Sequence, residues 1–556
     1  MKAFVKEHKY FLGVLLVLSI AIMIYTGYHT NKLGHDMAFH VNNIENLASY
    51  LDFSKGHFLA PDISENIGGD LGYGLYLFYP SLPHLLYAYF YKFVSLFSMD
   101  IFTSILLFNT ILTIVSTFLM YLLSYKLSGS KKVAFLTGLI FLLFPYRISN
   151  IFLRYALNES LLFVFIPLIL LGLYEWKEGH FKSFYFYFII GYIGIFYSHL
   201  MMSFYFTLIL LPFFIYFRKE FCKKEYLFPF LKAVLFVAIF ISPILVSFIE
   251  NYGGKYLVYK PFYMTSPALV LLNTLHLQNY LNLNMDDWGV QTYFFFSVIV
   301  LFLMSVIWLF KNRKKNNFYF YMLLAIFLCI FLTTSLFPWR SMPDMFLMIQ
   351  FPWRFLTFLL IFVSLCAPIC IKWFTKKEAY FLLFVSVFLL LEGYPMLTHI
   401  RDRKYEVGEG SLSIELATGN MGEYFPIEYL EKKDAYFYNR EALGLVVLGK
   451  TSSTFEPLEA SFPSYRFEIK DASQTKVEFP RIYYKGYELH KGDKKYPIKR
   501  SQNGLIEATI VEDGIYTLTY TKTILKRVII VFKYSFLVGI VIWIGVRKIL
   551  KNKKSV

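Results

Sequence analysis

The chain has 556 residues, of which 57% are hydrophobic and 21% aromatic, and its mean hydropathy is +0.50. This composition excludes a soluble globular protein and indicates a polytopic membrane protein. A formal net charge of +17 does not indicate nucleic acid binding here, because the basic residues stand in short clusters between apolar runs, as the positive-inside rule expects.

The first apolar run, residues 10–27, follows Lys2, Lys6 and Lys9. The N-terminus is therefore predicted in the cytoplasm, and the chain from residue 28 onward outside. The run is long enough to span a bilayer and no small-residue cleavage site follows it, so we interpret it as an uncleaved signal anchor.

The external loop then begins with Gly34-His35-Asp36, and apolar residues recur from there at spacings of four and three. This period predicts an amphipathic helix along the membrane surface, with Asp36, His40 and Asn43 on its polar face. Asp36 is a candidate general base, and the alternative is a helix-start residue or solvated charge. The sequence leaves three alternative roles open for His35 and His40: to assist Asp36, to hold a divalent metal together with it, or to pack in the structure.

Residues 76–97 are long enough to span but contain Pro80, Pro83 and His84. If they crossed the membrane, the basic clusters within 126–132, 219–224 and 311–315 would all lie outside. We therefore predict that they lie in the outer interface, which gives about twelve spans and two cytoplasmic termini. The predicted spans are residues 10–27, 100–125, 132–146, 158–174, 182–198, 199–217, 231–249, 291–310, 317–337, 353–373, 378–396 and 528–547.

The short link between the predicted spans 132–146 and 158–174 carries Arg147 and Arg154, and Glu159 opens the helix that follows. An unpaired acid at membrane depth costs on the order of 2 to 3 kcal/mol, so Glu159 needs a partner such as Arg154, a metal or a substrate. Arginines offer forked donors that suit phosphate, although interface anchoring or a structural ion pair is an equal alternative.

Three more polar residues are predicted at the same outer face: His199, Arg340 and Arg354. His199 lies between two spans, where a hydrogen-bonded packing residue is the alternative. Each arginine belongs to a Pro-Trp-Arg triplet, and an arginine beside tryptophan either anchors the chain at the interface or holds an anionic head group.

The polar block 398–527 is predicted to be an extracytoplasmic domain. Alternating segments and the turns Asn503-Gly504 and Asp513-Gly514 predict a small antiparallel β-sandwich over residues 454–522. The predicted fold class is thus a polytopic α-helical membrane protein with interfacial helices and an external β-sandwich. Its predicted parts are a transmembrane module (1–397, with the external loop 28–99), the β domain (398–527) and a final span with a basic tail (528–556).

Five short motifs add a resemblance through their order along the chain. They are Gly34-His35-Asp36 through His40, Gly72-Tyr73-Gly74 through Pro83, Arg154 through Glu159, Gln350 through Arg354, and Gly422 through Pro426. In these motifs the chain resembles the C-type (GT-C) superfamily of integral membrane glycosyltransferases. Within it, the chain resembles the bacterial YfhO-like branch, whose members are also labelled 6-pyruvoyl-tetrahydropterin synthase-related membrane proteins.

The resemblance implies an inverting transferase at the outer face of the plasma membrane. Its donor would be a polyprenyl-phosphate sugar and its acceptor a cell-envelope glycopolymer such as a teichoic acid. Asp36 would be the catalytic base, Glu159 the second acid, and Arg154 and Arg354 would hold the lipid phosphate, with a divalent metal as an open question.

We therefore expect catalysis from two acids and substrate binding from a set of basic residues. The catalytic candidates are Asp36 and Glu159, and the binding candidates are His35, His40, Arg147, Arg154, His199, Arg340 and Arg354. The alternatives are a lipid or polysaccharide transporter and a non-catalytic envelope assembly protein. Candidates grouped at one face, without a sequence repeat, favour the transferase, with membrane lipid and no nucleic acid among its partners.

Overall fold

The computed structural model describes most of the chain. The described ranges are residues 2–27, 34–64, 71–252, 266–276, 294–312, 317–374, 377–402, 424–430, 446–448, 454–461, 464–472 and 474–553. Gly422 and Glu423 of the fifth motif lie outside these ranges. The described residues are mainly helical, and their strands are concentrated near the C-terminus.

The α-helices of the described residues are numbered in chain order. They are α1 (Lys2–Thr26), α2 (Met37–Tyr50), α3 (Leu75–Phe78), α4 (Leu82–Val94), α5 (Ile101–Ser128), α6 (Lys131–Leu143), α7 (Pro145–Phe152), α8 (Leu157–Lys177), α9 (Phe181–Ser198), α10 (Leu200–Ile209), α11 (Leu211–Tyr216), α12 (Arg218–Phe221), α13 (Lys224–Tyr252), α14 (Pro267–Leu272), α15 (Phe296–Lys311), α16 (Asn317–Thr333), α17 (Asp344–Leu347), α18 (Leu356–Cys366), α19 (Glu378–Arg401), α20 (Ile427–Leu430) and α21 (Ile524–Lys553). The 3₁₀ segments Pro352–Phe355 and Ala367–Trp373 flank α18.

Six helical segments of the described chain are long and apolar enough to cross a membrane, or up to seven if the bent pair α6 and α7 is one span. They are Ala3–Thr26, Ile101–Ser128, Leu157–Lys177, Lys224–Asn251, Pro352–Trp373 and Glu378–Arg401. This agrees with the prediction of a multi-pass membrane protein. The count of about twelve spans and the sidedness of the loops stay predictions.

The described chain groups by contacts into two compact units. The first comprises Met1–Leu59, Pro80–Val237 and Pro261–Ser413, and the second Ala60–Tyr79, Ala238–Lys260 and Ile414–Val556. Each unit is therefore assembled from separate stretches of sequence. The three-part domain division predicted above stays a prediction.

In the first unit, α8 and α9 pack with their backbones almost in contact. A Cβ atom at Gly191 would lie 2.9 Å from the backbone nitrogen of Ile169, and one at Gly172 would lie 2.8 Å from that of Phe188. Small residues permit such an approach between apolar helices, where van der Waals contact replaces the hydrophobic effect. At the start of α8, near Glu159, the two helices are joined by a hydrogen bond from Asn158 Nδ2 to the carbonyl of Ser198 at 2.7 Å.

Helix α2 has the predicted apolar stripe, since Met37, Val41 and Ile44 are all fully buried. Two residues of its predicted polar face are buried instead of facing water, since His40 is 2% and Asn43 is 1% exposed. The reason is that α4 packs against this helix and covers its polar residues. Helix α4 has 13 residues, a length of about 20 Å, which is short of the ~30 Å hydrocarbon core.

The second unit contains two antiparallel sheets. Their strands are β1 (Val446–Leu448), β2 (Thr454–Ser461), β3 (Ser464–Lys470), β4 (Thr475–Ile482), β5 (Tyr487–Lys491), β6 (Lys494–Tyr496), β7 (Ile498–Arg500), β8 (Leu505–Ile510) and β9 (Gly514–Tyr520). One sheet has the order β1-β4-β8-β7 and the other β2-β3-β9-β5-β6.

The two sheets meet face to face, since the rings of Phe467 in β3 and Phe479 in β4 are 5.0 Å apart. The prediction of small antiparallel sheets is confirmed, and β1 precedes the predicted start. The Asn503-Gly504 turn joins the paired strands β7 and β8. Asp513-Gly514 instead connects β8 to β9 in the other sheet, so a correctly predicted turn does not form a hairpin there.

Candidate functional site

The centre of the candidate site is Glu159, on the first turn of α8. Its side chain is 3% exposed and accepts two hydrogen bonds from Arg154, Nη2 to Oε1 at 2.8 Å and Nη1 to Oε2 at 2.9 Å. The Nε of Arg354 lies 3.4 Å from the same Oε1. One buried carboxylate therefore faces two guanidinium groups, and the fork with Arg154 fixes both partners.

Neutral donors complete the surroundings of this carboxylate. The hydroxyl of Tyr146 donates to Glu159 Oε2 at 3.2 Å, and Asn150 Nδ2 and Thr357 Oγ1 donate to it at 3.3 Å each. Two of these donors come from α7 and one from α18. Buried ionised groups are stable only with such a full set of partners, so the site is rigidly built around Glu159.

The turn that carries Arg154 also holds the loop that carries Asp36. The backbone nitrogens of His35 and Asp36 donate to the carbonyls of Leu153 and Arg154 at 2.9 and 2.8 Å. Any side chain at Gly34 would collide with the Tyr155 ring, so glycine permits this approach. The two elements are therefore tied together through their backbones.

Tyr155 itself has a φ of +55°, a left-handed conformation that is uncommon for a bulky residue. Such strain persists only where the surrounding structure enforces it, and it turns the chain sharply between Arg154 and α8.

Asp36 precedes α2, but its side chain does not cap the helix. Among the described residues, no hydrogen bond or ion pair involves its carboxyl, and the residue is exposed. Loss of hydration among surrounding protein raises the pKa of Asp36, while Arg154 and Arg354 lower it and Glu159 raises it. The charges of Arg154 and Arg354 thus act on a carboxyl that is itself exposed.

Arg354 lies on the 3₁₀ turn Pro352–Phe355, and its side chain is 17% exposed, against 4% for Arg154. Its Nη1 donates to the carbonyl of Ile349 at 3.0 Å and to Oε1 of Gln350 at 3.3 Å. Gln350 has a φ of +59°. Within the described residues no hydrogen bond uses Nη2 of Arg354, which leaves this nitrogen for a ligand.

Trp353 contributes to the neighbouring arginine. The guanidinium carbon of Arg154 lies 4.5 Å from the centre of the Trp353 ring, a cation–π contact. Two residues of the second Pro-Trp-Arg triplet therefore contribute to the site, because its tryptophan contacts Arg154 and its arginine lies close to Glu159.

His199 lies between α9 and α10, and its Nδ1 accepts a hydrogen bond from the backbone nitrogen of Met202 at 3.4 Å. Burial and the charge of Arg354 lower the pKa of His199 to about 4. It is consequently a neutral imidazole near neutral pH. Its electrostatic interaction with Glu159 and both arginines places it in the same cluster.

The structure brings together only part of the expected set. Asp36, Glu159, Arg154, His199 and Arg354 form one cluster, and the exposed His35 influences it through its charge near Asp36. The remaining three candidates make other contacts.

Arg147 is 1% exposed and donates to the carbonyl of Leu142 at 3.3 Å and to Thr113 Oγ1 at 2.7 Å. His40 lies in a buried pair, with its Nδ1 2.8 Å from Nε2 of His84. Arg340 is exposed and makes no hydrogen bond or ion pair within the part of the chain that the structure describes. In the described ranges, none of these three side chains makes a hydrogen bond or ion pair with a charged side chain of the cluster.

The trio of Asp36, His35 and His40 does not gather around a common point, since His40 turns to His84. In the described ranges, no group of three or more His, Cys, Asp or Glu is arranged to hold a metal ion. The sequence left a divalent metal open, and the described residues show no ligand set for one.

Several residues of the site were missed by the sequence reasoning. Asn150 and Gln350 each stand four residues before the arginine that they contact, a helical spacing that gives a usable signal. Thr357 is 198 residues from Glu159 in sequence and gives none.

Residues 10–346 match a family described as "Family of unknown function (DUF6541)". The chain belongs to the DUF6541 family. Within the match lie Asp36, Arg154, Glu159 and His199, whereas Arg354 follows it in the sequence. No curated protein sequence matches this DUF6541 protein.

Two solved structures of the oligosaccharyltransferase from Archaeoglobus fulgidus are similar to this DUF6541 protein. The crystal structure of the complex with Zn and sulfate has 14% identity and a TM-score of 0.46, and the match covers 72% of this chain and 53% of that chain. The apo crystal structure has 12% identity and a TM-score of 0.47, with 77% and 59% covered. The matched region thus spans little more than half the length of that protein.

Proposed function

We propose that this DUF6541 protein is a GT-C-type membrane glycosyltransferase of the YfhO-like branch that it resembles. It would move a sugar, with inversion, from a polyprenyl-phosphate donor to an extracytoplasmic cell-envelope acceptor. The observation that carries the proposal is the pairing of an open carboxyl, Asp36, with two arginines fixed on one buried carboxylate, Glu159.

The two arginines have different roles in this proposal. Both terminal nitrogens of Arg154 are hydrogen-bonded to Glu159, and its guanidinium group lies over the Trp353 ring. Arg354 is more exposed and keeps Nη2 for a ligand. We therefore assign the direct phosphate contact to Arg354, while Arg154 contributes fixed positive charge at the leaving group.

Glu159 was expected to be a second catalytic acid. Its two oxygens face the donors of five side chains and it is buried, so we assign it a positioning role instead. It holds the arginines in place before a substrate binds, which is the preorganisation on which electrostatic catalysis depends.

The chemistry is a single displacement. Asp36 accepts the proton of the acceptor hydroxyl as the oxygen forms its bond to the anomeric carbon. The bond from that carbon to the phosphate oxygen breaks, and the polyprenyl phosphate leaves with the extra negative charge, beside Arg354. Attack on the side opposite to the phosphate inverts the configuration, and the raised pKa of Asp36 makes it a stronger base than an ordinary aspartate.

The test uses the full chain in lipid nanodiscs, a panel of radiolabelled polyprenyl-phosphate sugars, and cell-wall polymers as acceptors. We expect transfer with one donor class, and a drop of about 10²- to 10⁴-fold in Asp36→Asn, the usual cost of losing a general base. Glu45→Gln is the matched control, because Glu45 is an exposed acid on α2, the helix that follows Asp36.

Near-normal transfer by Asp36→Asn would refute the assignment of the base. Movement of intact labelled donor across a sealed vesicle, without transfer to any acceptor, would support the transporter instead. If residues 398–527 alone prove essential and Asp36→Asn has no phenotype, the protein is a non-catalytic assembly factor.

A further inference from the structure

Six large apolar side chains of the first unit are exposed in two short segments, residues 53–59 and 93–97. They are Phe53 (70% exposed), Phe58 (51%), Leu59 (59%), Phe93 (58%), Leu96 (77%) and Phe97 (64%), and we call them the apolar rim. Clustered exposed apolar residues mark an interaction surface.

The two segments form one surface because α4 binds the loop that follows α2. The hydroxyl of Tyr89 in α4 donates to the carbonyl of Phe58 at 2.7 Å, and its ring stacks on Phe53 at 5.9 Å. One helical turn on, the Lys92 ammonium donates to the carbonyl of Leu51, near the end of α2. The rim is therefore part of a fixed surface of α2, α4 and residues 51–59, which follow α2.

The residues that follow the rim indicate its depth relative to the membrane. After Phe97, Ser98 turns the backbone at a φ of +59°, and the Asp100 carboxylate then caps α5 by accepting from the nitrogens of Phe102 and Thr103 at 2.8 and 2.9 Å. Helix α5 is one of the candidate membrane spans. The rim thus lies at the end of a span, where the hydrocarbon meets the head groups.

Polar residues at the edge of the rim fit this level. Lys55 has a 70% exposed side chain and pairs weakly with Asp52 at 3.8 Å. Aromatic rings with adjacent lysines are typical of segments that lie in the membrane interface, where the rings enter the acyl region and the ammonium reaches the phosphates.

We propose that the apolar rim is inserted into the lipid bilayer and anchors α4 and the loop after α2 in its interface. The occupant of this surface is the bilayer, because the rim is continuous with a membrane span. The proposal does not depend on the glycosyltransferase function. It means that α2, whose first turn follows Asp36, is held at a set depth through its packing on α4.

Site-directed fluorescence tests this in the full chain. Cys222 is the exposed cysteine, while Cys329, Cys366 and Cys370 are buried, so Cys222→Ser gives a usable background. Leu96→Cys is labelled with bimane and reconstituted in nanodiscs whose lipids carry bromine close to the head group or midway along the acyl chain. Two further labelled variants, Val115→Cys and Glu178→Cys, give a site within α5 and a site in the turn after α8.

We expect lipids brominated near the head group to quench the Leu96 label at least threefold more than the Glu178 label. The Val115 label should respond most to bromine midway along the chain. Phe58→Cys repeats the test on the other segment and should behave as Leu96→Cys does, with monodisperse elution as the check of folding.

Two results overturn the proposal. If aqueous iodide quenches the Leu96 and Phe58 labels as well as it quenches the Glu178 label, and brominated lipids do not, the rim lies in water. If neither quencher reaches them, the surface is covered by protein, either a second copy of the chain or another partner.

Discussion

The positioning role of Glu159 predicts a large loss of stability in Glu159→Gln. The substitution keeps the size of the side chain but removes the charge that Arg154 and Arg354 share at 2.8 and 3.4 Å. Arg154 is 4% exposed, so water cannot replace the lost carboxylate. Breaking a buried pair by removing one partner costs about 3 to 5 kcal/mol, and we expect a loss in this range.

Thermal and denaturant unfolding of the purified protein in one detergent measures this loss. Glu512→Gln is the control, since Glu512 pairs with two surface lysines and such exposed pairs contribute little. A second variant identifies the cause. If an unpaired guanidinium is responsible, adding Arg154→Met to Glu159→Gln should recover part of the stability. Wild-type stability of Glu159→Gln would refute the reasoning, because Glu159 would then not hold the arginines.

Two other predictions concern the ligand and the base. Arg354→Lys removes the forked donor but keeps a charge, so KM for the polyprenyl-phosphate donor should rise about tenfold or more with little change in the unfolding temperature. Steady-state kinetics and thermal melts measure the two quantities. An unchanged KM would contradict the assignment of the phosphate contact to Arg354. Asp36→Asn should unfold at a higher temperature than the wild type at neutral pH. Because the pKa of Asp36 is raised in the folded state, its contribution to stability is present below its ordinary pKa and is lost as pH rises through the raised value. The advantage of the variant should therefore shrink on acidification, and a constant difference across pH would argue against the raised pKa.

The apolar pattern of this chain was informative because burial follows helical periodicity. Met37, Val41 and Ile44 recur at spacings of four and three and are buried as predicted. The prediction that His40 faces water on the polar side of the same helix was wrong, since His40 contacts His84, which lies 44 residues away on α4. A single sequence shows that a face is polar, but it does not show whether water or another helix covers it.

The same limit explains which arginines reach the site. Arg147 and Arg154 lie in one link with the same forked chemistry, and only Arg154 contacts Glu159. Arg147 lies within α7 and bonds to Leu142 and Thr113, whereas Arg154 lies in the turn after α7, beside Tyr155 with its φ of +55°. Such a conformation is imposed by tertiary packing, which includes the close approach of Gly34, so local propensity could not predict it.

The charges of the cluster lead to a final prediction about pH. With His199 neutral, Arg154 and Arg354 face the carboxylate of Glu159 and act, together with His35, on the carboxyl of Asp36. A bound phosphate adds a negative charge near Asp36, and a like charge raises the pKa of a carboxyl further. The base must be ionised to act, so the rate should fall as pH drops through this pKa.

The pH profiles of the two kinetic parameters should therefore differ. The acid limb of kcat/KM reports the free enzyme and that of kcat reports the enzyme with its donor bound. We expect the limb of kcat to lie at higher pH than the limb of kcat/KM, and both limbs to disappear in Asp36→Asn, whose residual rate has no titrating base at this position. Initial rates at saturating and at limiting donor measure the two limbs. Coincident limbs would mean that the donor phosphate does not bind beside Asp36, and a kcat limb at lower pH would mean that a net positive group binds there instead.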